Sequence, residues 1–263
     1  MSDPQPRAAV LLVGDELLSG KIRDENGWFL TQVLRRRGIK LVEIRVVSDG
    51  IDTIATAARQ LLDLAPLLFT SGGVGPTHDD VTLAAVARAT DRPLARHAAM
   101  ETILRGHYGD EISPDALRMA DLPEGTILAG DTGWPIMQLD VTHADRPSRL
   151  FILPGIPTLL KRKVELLESI PDALPLGDAW HVETVETDRA ESDIAPALRD
   201  ALDQFPEVTI GSYPRWTPDA RGRLQVRVRV TIEAPGAHEA HVRGAKALLE
   251  AALSDTPRGG EGA

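Results

Sequence analysis

Cysteine is absent from the 263 residues, so disulfides, thiolate catalysis and cysteine-ligated zinc are all excluded. Positive charge is in the minority. The 29 Lys and Arg stand against 39 Asp and Glu, and a net charge of −10 argues against broad binding to nucleic acid or to an anionic membrane. No apolar run reaches the ~18 residues that crossing a bilayer requires, and Met1–Arg7 lacks the apolar core of a signal peptide. These absences lead us to expect a soluble cytoplasmic protein with neither nucleic acid nor membrane as a partner. Two familiar phosphate motifs are also missing. No Lys-Ser or Lys-Thr pair follows the glycines at 72–75, so there is no Walker A loop, and their order does not fit Gly-x-Gly-x-x-Gly. The length is enough for one large or two modest domains with cores of their own.

The stretch around which the chain is organised is Thr70-Ser71-Gly72-Gly73-Val74-Gly75-Pro76-Thr77-His78-Asp79-Asp80-Val81-Thr82, directly after the apolar run at 66–69. A strand that ends in a glycine-rich turn and then opens a helix presents backbone N–H groups to a phosphate. Gly72, Gly73 and Gly75 carry no Cβ to block a ligand, and they permit positive φ where the turn demands it. Pro76 stiffens the exit. Asp79 and Asp80 are expected in the first turn of a helix running to Ala87, where they either cap it or hold a divalent cation against the phosphate. A phosphate bound here would be held by backbone amides and a metal, without a lysine.

Elsewhere the chain alternates strands and helices. Ala8–Val13 is a continuous apolar run, as in a strand buried on both faces, and Gly14, Asp15 and Glu16 follow it. In open α/β sheets, ligands bind beyond the carboxyl ends of the strands, so Glu16 is expected on the same rim as the glycine turn, binding metal or a ligand hydroxyl, or merely capping a helix. Asn26–Arg37 has a single apolar stripe ended by Gly38, with Arg35, Arg36 and Arg37 complementing the helix dipole. Residues 39–47 alternate as a strand that ends at Asp49, a third candidate acid. Residues 51–64 form an amphipathic helix, and 92–121 read as helices with polar breaks, where His97 and His107 are taken as surface residues. The short strands at 126–129, 136–141 and 149–153 are spaced for hairpins, which gives the sheet a mixed edge. Leu153-Pro154-Gly155-Ile156-Pro157 is a second glycine turn, opening a helix whose Lys161, Arg162 and Lys163 are read as a solvated face. The fold class is thus α/β, a three-layer doubly wound and mainly parallel sheet. Residues 171–178 make the best linker. Beyond it a β-α-β-β-α order describes a small α+β module, with the strand at 223–232 expected on its outside and the tail at 255–263 disordered.

The glycine stretch resembles the signature of the molybdopterin-binding (MoCF biosynthesis) domain. Within that superfamily the chain is similar to the N-terminal part of the competence/damage-inducible protein A family, and to the related domain fused to eukaryotic FAD synthase. Gly14-Asp15-Glu16-Leu17-Leu18-Ser19-Gly20, Asp24-Glu25-Asn26 and the 153–157 turn agree. The module at 178–254 resembles the KH-like middle domain of the same family, including Ala190-Glu191-Ser192 and Ile210-Gly211-Ser212-Tyr213-Pro214. It has no Gly-x-x-Gly loop to clamp RNA, and the deamidase domain that often follows in that family is not expected.

The resemblance implies a first domain over 1–172 that binds a nucleotide or pterin phosphate through Ser71, Gly72, Gly73, Gly75, Pro76, Thr77, Ser19, Gly20, Asn26, Asp49, Pro154 and Gly155. Its leading implication is metal-dependent hydrolysis of an ADP-ribose-like pyrophosphate. Asp80, Asp79 and Glu16 would be the catalytic acids, and Asp80 and Asp79 would hold Mg²⁺ or another divalent cation. The alternatives are a molybdopterin-binding or adenylyl-transferring protein of cofactor biosynthesis, or a binding module without chemistry. A homo-oligomer is expected in each case. The chain departs from the family at Gly130-Asp131-Thr132-Gly133-Trp134-Pro135-Ile136, where a second glycine is missing and a tryptophan is added next to the base or pterin pocket.

Overall fold

The computed structural model describes residues 5–254 except 110, 131–133, 219, 220 and 223. The expectations for Asp131, Thr132, Gly133, Arg223 and the tail at 255–263 therefore lie outside the described residues. The chain divides into two compact units, Met1–Gly177 and Asp178–Ala263.

In chain order the first unit contains β1 (Arg7–Val13), α1 (Asp15–Leu18), α2 (Asn26–Arg36), β2 (Lys40–Val47), α3 (Ile51–Leu64), β3 (Leu67–Ser71) and α4 (Thr82–Ala89). It continues with β4 (Leu94–Arg96), α5 (Ala98–Tyr108), α6 (Pro114–Arg118), β5 (Asp121–Pro123), β6 (Ile127–Ala129), β7 (Ile136–His143), β8 (Arg146–Leu153) and α7 (Pro157–Ser169). The second unit contains β9 (Trp180–Thr187), α8 (Glu191–Gln204), β10 (Thr209–Pro218), β11 (Leu224–Pro235) and α9 (Glu239–Ser254).

A six-stranded sheet in the order β2-β1-β3-β8-β7-β6 forms the middle layer of the first unit. The first four strands are parallel, and β7 and β6 are added antiparallel, so the mixed edge lies where the short spacings placed it. Alternation along β1 explains the layers, because successive side chains point to opposite faces. Ala9, Leu11 and Val13 pack in one core with Ile54 and Leu61 of α3 and Val86 of α4. Ala8, Val10 and Leu12 enter a second core with Leu30 and Leu34 of α2 and Leu160 and Val164 of α7. Each fully buried leucine contributes roughly 1.5–3 kcal/mol, so both faces of the sheet are committed to helices.

Three expectations are corrected. Residues 92–121 are not helical throughout, since β4 and β5 pair as a small antiparallel sheet on either side of α5 and α6. The expected linker belongs in large part to the first unit. Ala173 and Leu174 are buried there, Arg37 donates to the Leu174 carbonyl at 3.0 Å, and the Gly177 N–H donates to the Arg37 carbonyl at 2.8 Å. Apolar side chains at 173 and 174 outweigh the turn-forming prolines. In the second unit the strand expected outside is the central one, in the order β10-β11-β9. Val228, Val230 and Ile232 of β11 line that unit's core, while Arg227 and Arg229 pair with Asp188 and Glu186 on the wet face. Pro214 and Pro218, which cannot donate to a ladder, both lie on the edge strand β10.

Candidate functional site

Register brings the two glycine turns together. Leu12 of β1 pairs with Ser71 of β3, and Ser71 pairs with Leu153 of β8, so neighbouring strands end at one level. Phe69 and Phe151 stack below them with centroids 5.1 Å apart. The turns then approach until Gly72 and Gly155 nearly touch, and a Cβ added to Gly155 would lie 3.2 Å from the Gly72 Cα. Gly72 has φ 106°, and a Cβ on it would sit 2.2 Å from the Val13 carbonyl oxygen. Only glycine fits there.

Asn26 fastens the junction. Its Nδ2 donates to the Ser71 hydroxyl at 3.0 Å and to the Gly155 carbonyl at 2.7 Å, and the Ser71 hydroxyl in turn donates to the Pro154 carbonyl at 3.2 Å. A carbonyl acceptor at Gly155 settles which amide atom is the nitrogen. The other atom, Oδ1, is buried with no partner among the described residues. Asp24 holds Asn26 in place by accepting from the N–H groups of Asn26 and Gly27 at 2.9 and 3.0 Å, a capping role at the start of α2.

The acids of the glycine stretch lie before the helix rather than in its first turn. Asp80 Oδ2 accepts from the Thr77 N–H at 2.8 Å and from the Thr77 hydroxyl at 2.5 Å, a local turn that competes with helix formation. Helix α4 therefore begins only at Thr82, whose N–H donates to the Gly73 carbonyl at 2.9 Å and whose hydroxyl donates to the Gly72 carbonyl at 2.8 Å. Asp79 is held below the usual carboxylate range first by the Thr77 hydroxyl and then by its own backbone N–H. Because that hydroxyl makes its short contact with Asp80, the two carboxylates compete for one donor. Asp49 accepts from the Asp15 N–H at 2.8 Å, yet its carboxyl is raised above the ordinary range, first by desolvation and further by the charges of Asp15, Glu16 and Asp79.

An open cavity of about 1120 Å³ lies over these turns. Of the residues expected at the site, Ser71, Gly72, Gly73, Gly75, Pro76 and Thr77 line it, together with Asp80, Glu16, Asn26, Pro154 and Gly155. Asp49, Asp79, Ser19 and Gly20 do not. Ser19 and Gly20 are exposed just after α1, and the charge of Asp79 contributes to raising the Asp49 carboxyl. Among the described residues, the N–H groups of Gly73, Val74, Gly75, Gly155 and Ile156 have no acceptor in the protein, and all five residues line the cavity. Unpaired amides at two neighbouring turns, one of them at the N-terminus of α7, are donors suited to phosphate oxygens. No group of three His, Asp or Glu converges on a point able to hold a metal among the described residues, so Asp80 could retain Mg²⁺ only together with ligand oxygens.

Sequence reasoning placed His97 and His107 at the surface. His107 is exposed, as expected, and the half-buried His97 caps α5, its Nδ1 accepting from the Met100 N–H at 3.3 Å. His107 lines the cavity wall with Tyr108 and Trp134, and no spacing signal in the sequence marked it. Lys163, expected on a solvated face, is only 6% exposed, and its ammonium donates to the carbonyls of Trp134, at 3.1 Å, and Pro135. Burial pushes it down to about 8, while the two carbonyls favour the charged form.

Residues 9–171 match the family model of the probable molybdopterin binding domain, and residues 179–257 match that of the FAD synthase middle domain. A protein of Aeropyrum pernix is 31% identical over 252 residues, 94% of this chain and 92% of that protein. A CinA-like protein of Syntrophus aciditrophicus is 32% identical over 240 residues, 87% of this chain but 55% of its own length, so the chain spans about half of that relative. The crystal structure of the protein CinA, of unknown function, from Thermoplasma acidophilum superposes with a TM-score of 0.60 at 27% identity, covering 65% of this chain and all of that one. With its glycine turns, mixed sheet and second unit in the matching order, the chain belongs to the molybdopterin-binding (MoCF biosynthesis) domain family, as a CinA-like member.

Proposed function

We propose that the first unit binds a phosphorylated pterin or nucleotide, as a molybdopterin-binding or adenylyl-transferring protein of cofactor biosynthesis. The observation that carries this reading is the pair of glycine turns with five unpaired amides on one cavity. Each matched family, molybdopterin binding and FAD synthase, is named for pterin or nucleotide chemistry. In this reading the amides of Gly73, Val74 and Gly75 take one phosphate, those of Gly155 and Ile156 take a second group, and Asn26 keeps the turns at the spacing that serves both. Mg²⁺, held by Asp80 with Asp79 beside it, would neutralise phosphate charge when bound with the ligand.

Hydrolysis of an ADP-ribose-like pyrophosphate takes second place. It draws on the same acids, whereas the matched family models are named for molybdopterin binding and for FAD synthase. Calorimetric titration with a pterin monophosphate, ATP and ADP-ribose, each with and without Mg²⁺, tests the first reading. Chromatography for AMP in the ADP-ribose samples tests the second. Micromolar binding without AMP release is the expected result. Rapid Mg²⁺-dependent release of AMP would reverse the order of the two readings, and no binding of any of the three would remove both.

A further inference from the structure

We propose that one face of the β10–β11 hairpin in the second unit binds single-stranded nucleic acid, through residues that the cavity reading does not use. The net charge of −10 belongs to the whole chain, but its arginines are spread unevenly. Residues 213–229 hold five of the 29 cations and one of the 39 acids, which leaves 24 against 38 elsewhere. The expectation of no nucleic-acid partner, drawn from net charge, therefore does not extend to this stretch. Register sorts it by face. Tyr213 lies opposite Arg229, Arg215 opposite Arg227 and Thr217 opposite Gln225, so these six side chains share one face. All six can donate a hydrogen bond and none is an acid. Strand β9 pairs with β11 only from Val228 onward, so residues 215–218 and 224–227 continue as a two-stranded ribbon, with no third strand beside them among the described residues.

Like charges directly opposite on a sheet face repel, and Arg215 and Arg227 stand in that relation. Arg227 donates to Asp188 at 3.2 Å and Arg229 to Glu186 at 3.1 Å, whereas Arg215 has no hydrogen bond or ion pair among the described residues. Both pairs are exposed and hold weakly, so a phosphate can displace either carboxylate at little cost. Guanidinium forks match phosphate oxygens in geometry. Tyr213, 56% exposed beside them, adds a ring on which a base can stack. An acidic peptide would use the arginines and leave that ring idle, and a duplex keeps its bases stacked on one another, so the combination favours a single strand. Trp216 and Leu224 lie on the opposite face of the ribbon, and the unpaired outer edge of β10 is perpendicular to both faces. Neither competes for the six residues.

The test is fluorescence anisotropy of the full chain with labelled oligo-dT and oligo-rU of about 16 nucleotides, a duplex of the same length and poly-glutamate of matched charge. At least one single strand should bind with a Kd on the order of 10 μM at low salt, and about 5-fold or more tighter than the duplex or the poly-glutamate. Three phosphate contacts give a salt slope of about −2, so affinity should fall roughly 15- to 20-fold between about 50 and about 200 mM salt. Arg215→Ala should weaken binding and flatten that slope by about 0.7, while Arg215→Lys keeps it. Tyr213→Ala should weaken binding about 10-fold at an unchanged slope, and Tyr213→Phe should restore most of the loss. Trp216→Ala, on the opposite face, should stay within about twofold of the wild type. A preference between oligo-dT and oligo-rU assigns the ligand as DNA or RNA and supports the proposal in either direction. No binding at low salt, equal binding of poly-glutamate or duplex, or indifference to both Arg215→Ala and Tyr213→Ala overturns it. Circular dichroism melting of each variant shows whether a loss belongs to the face or to the fold.

Discussion

Single atoms decide how the glycine turns respond to substitution, and the two expected test positions are not equivalent. Gly73 has φ 64°, and a Cβ there would lie 2.4 Å from the Thr82 hydroxyl that anchors α4, so Gly73→Ala should lower stability by about 1–2 kcal/mol as well as weaken binding. Gly75 is not in the positive-φ region, and its Cβ would first meet the tip of a side chain, the Asp80 carboxylate, at 2.6 Å. Gly75→Ala should therefore cost ligand affinity while the melting temperature moves by less than about 3 °C. Asp80→Asn keeps an acceptor for Thr77 but loses the charge. The Mg²⁺-dependent part of binding or turnover should fall about 10²-fold, measured with and without the cation, and an unchanged value would remove Asp80 from the site. Lys163 predicts a pH effect. Its ammonium is depressed to about 8 from an ordinary 10.5, so between those values the unfolded chain binds more protons and stability rises with pH, by up to about 3 kcal/mol. Urea denaturation at pH 8 and pH 10 should show that rise in the wild type and a flatter response in Lys163→Met.

At the scale of elements, the site depends on strands β3 and β8 ending level. Their stacked phenylalanines are fully buried below the turns, so Phe151→Ala should destabilise the chain by about 3–5 kcal/mol. Because the cavity it leaves lies under both turns, ligand affinity should fall even in molecules that remain folded. A denaturation midpoint paired with a titration below it separates the two losses. The late start of α4 belongs to this scale too. Thr77 and Asp80 close a turn ahead of α4, in which the Asp80 carboxylate satisfies the Thr77 N–H and hydroxyl together.

For the whole molecule, every residue lining the cavity belongs to the first unit. A truncated chain ending at Gly177 should therefore keep the ligand affinity of the full chain to within about threefold, and a larger loss would give the second unit a part in binding. No helix among the described residues is long and apolar enough to cross a membrane. We propose that the chain forms a closed homo-oligomer, a dimer in preference to a trimer. The surface is no longer the central strand β11 but the edge strand β10, which exposes Tyr213 and Trp216 beside unpaired backbone. Light scattering of the full chain should give twice the monomer mass, falling to the monomer when residues 178–263 are removed. A monomer mass at tens of micromolar for the full chain would end the proposal.

Steric and periodic rules act over a few residues, and the features they govern were legible without a structure. The apolar alternation of β1, the helix at 51–64, the hairpin spacings after Thr126 and the glycine identities at 72 and 73 all follow from neighbours in sequence. The two glycine turns were identifiable one by one for the same reason. Their meeting was not, because it rests on pairing in which Asn26 reaches Gly155 across 129 positions. The same holds for His107 in the cavity wall and Lys163 beneath Trp134, neither of which carries a local signature. The placement of β11 at the centre of its sheet also lay beyond reach, since an alternating strand reads alike at an edge and in the middle. Local chemistry determined which segments end in glycine turns with unpaired amides; only long-range packing decided which side chains surround those turns.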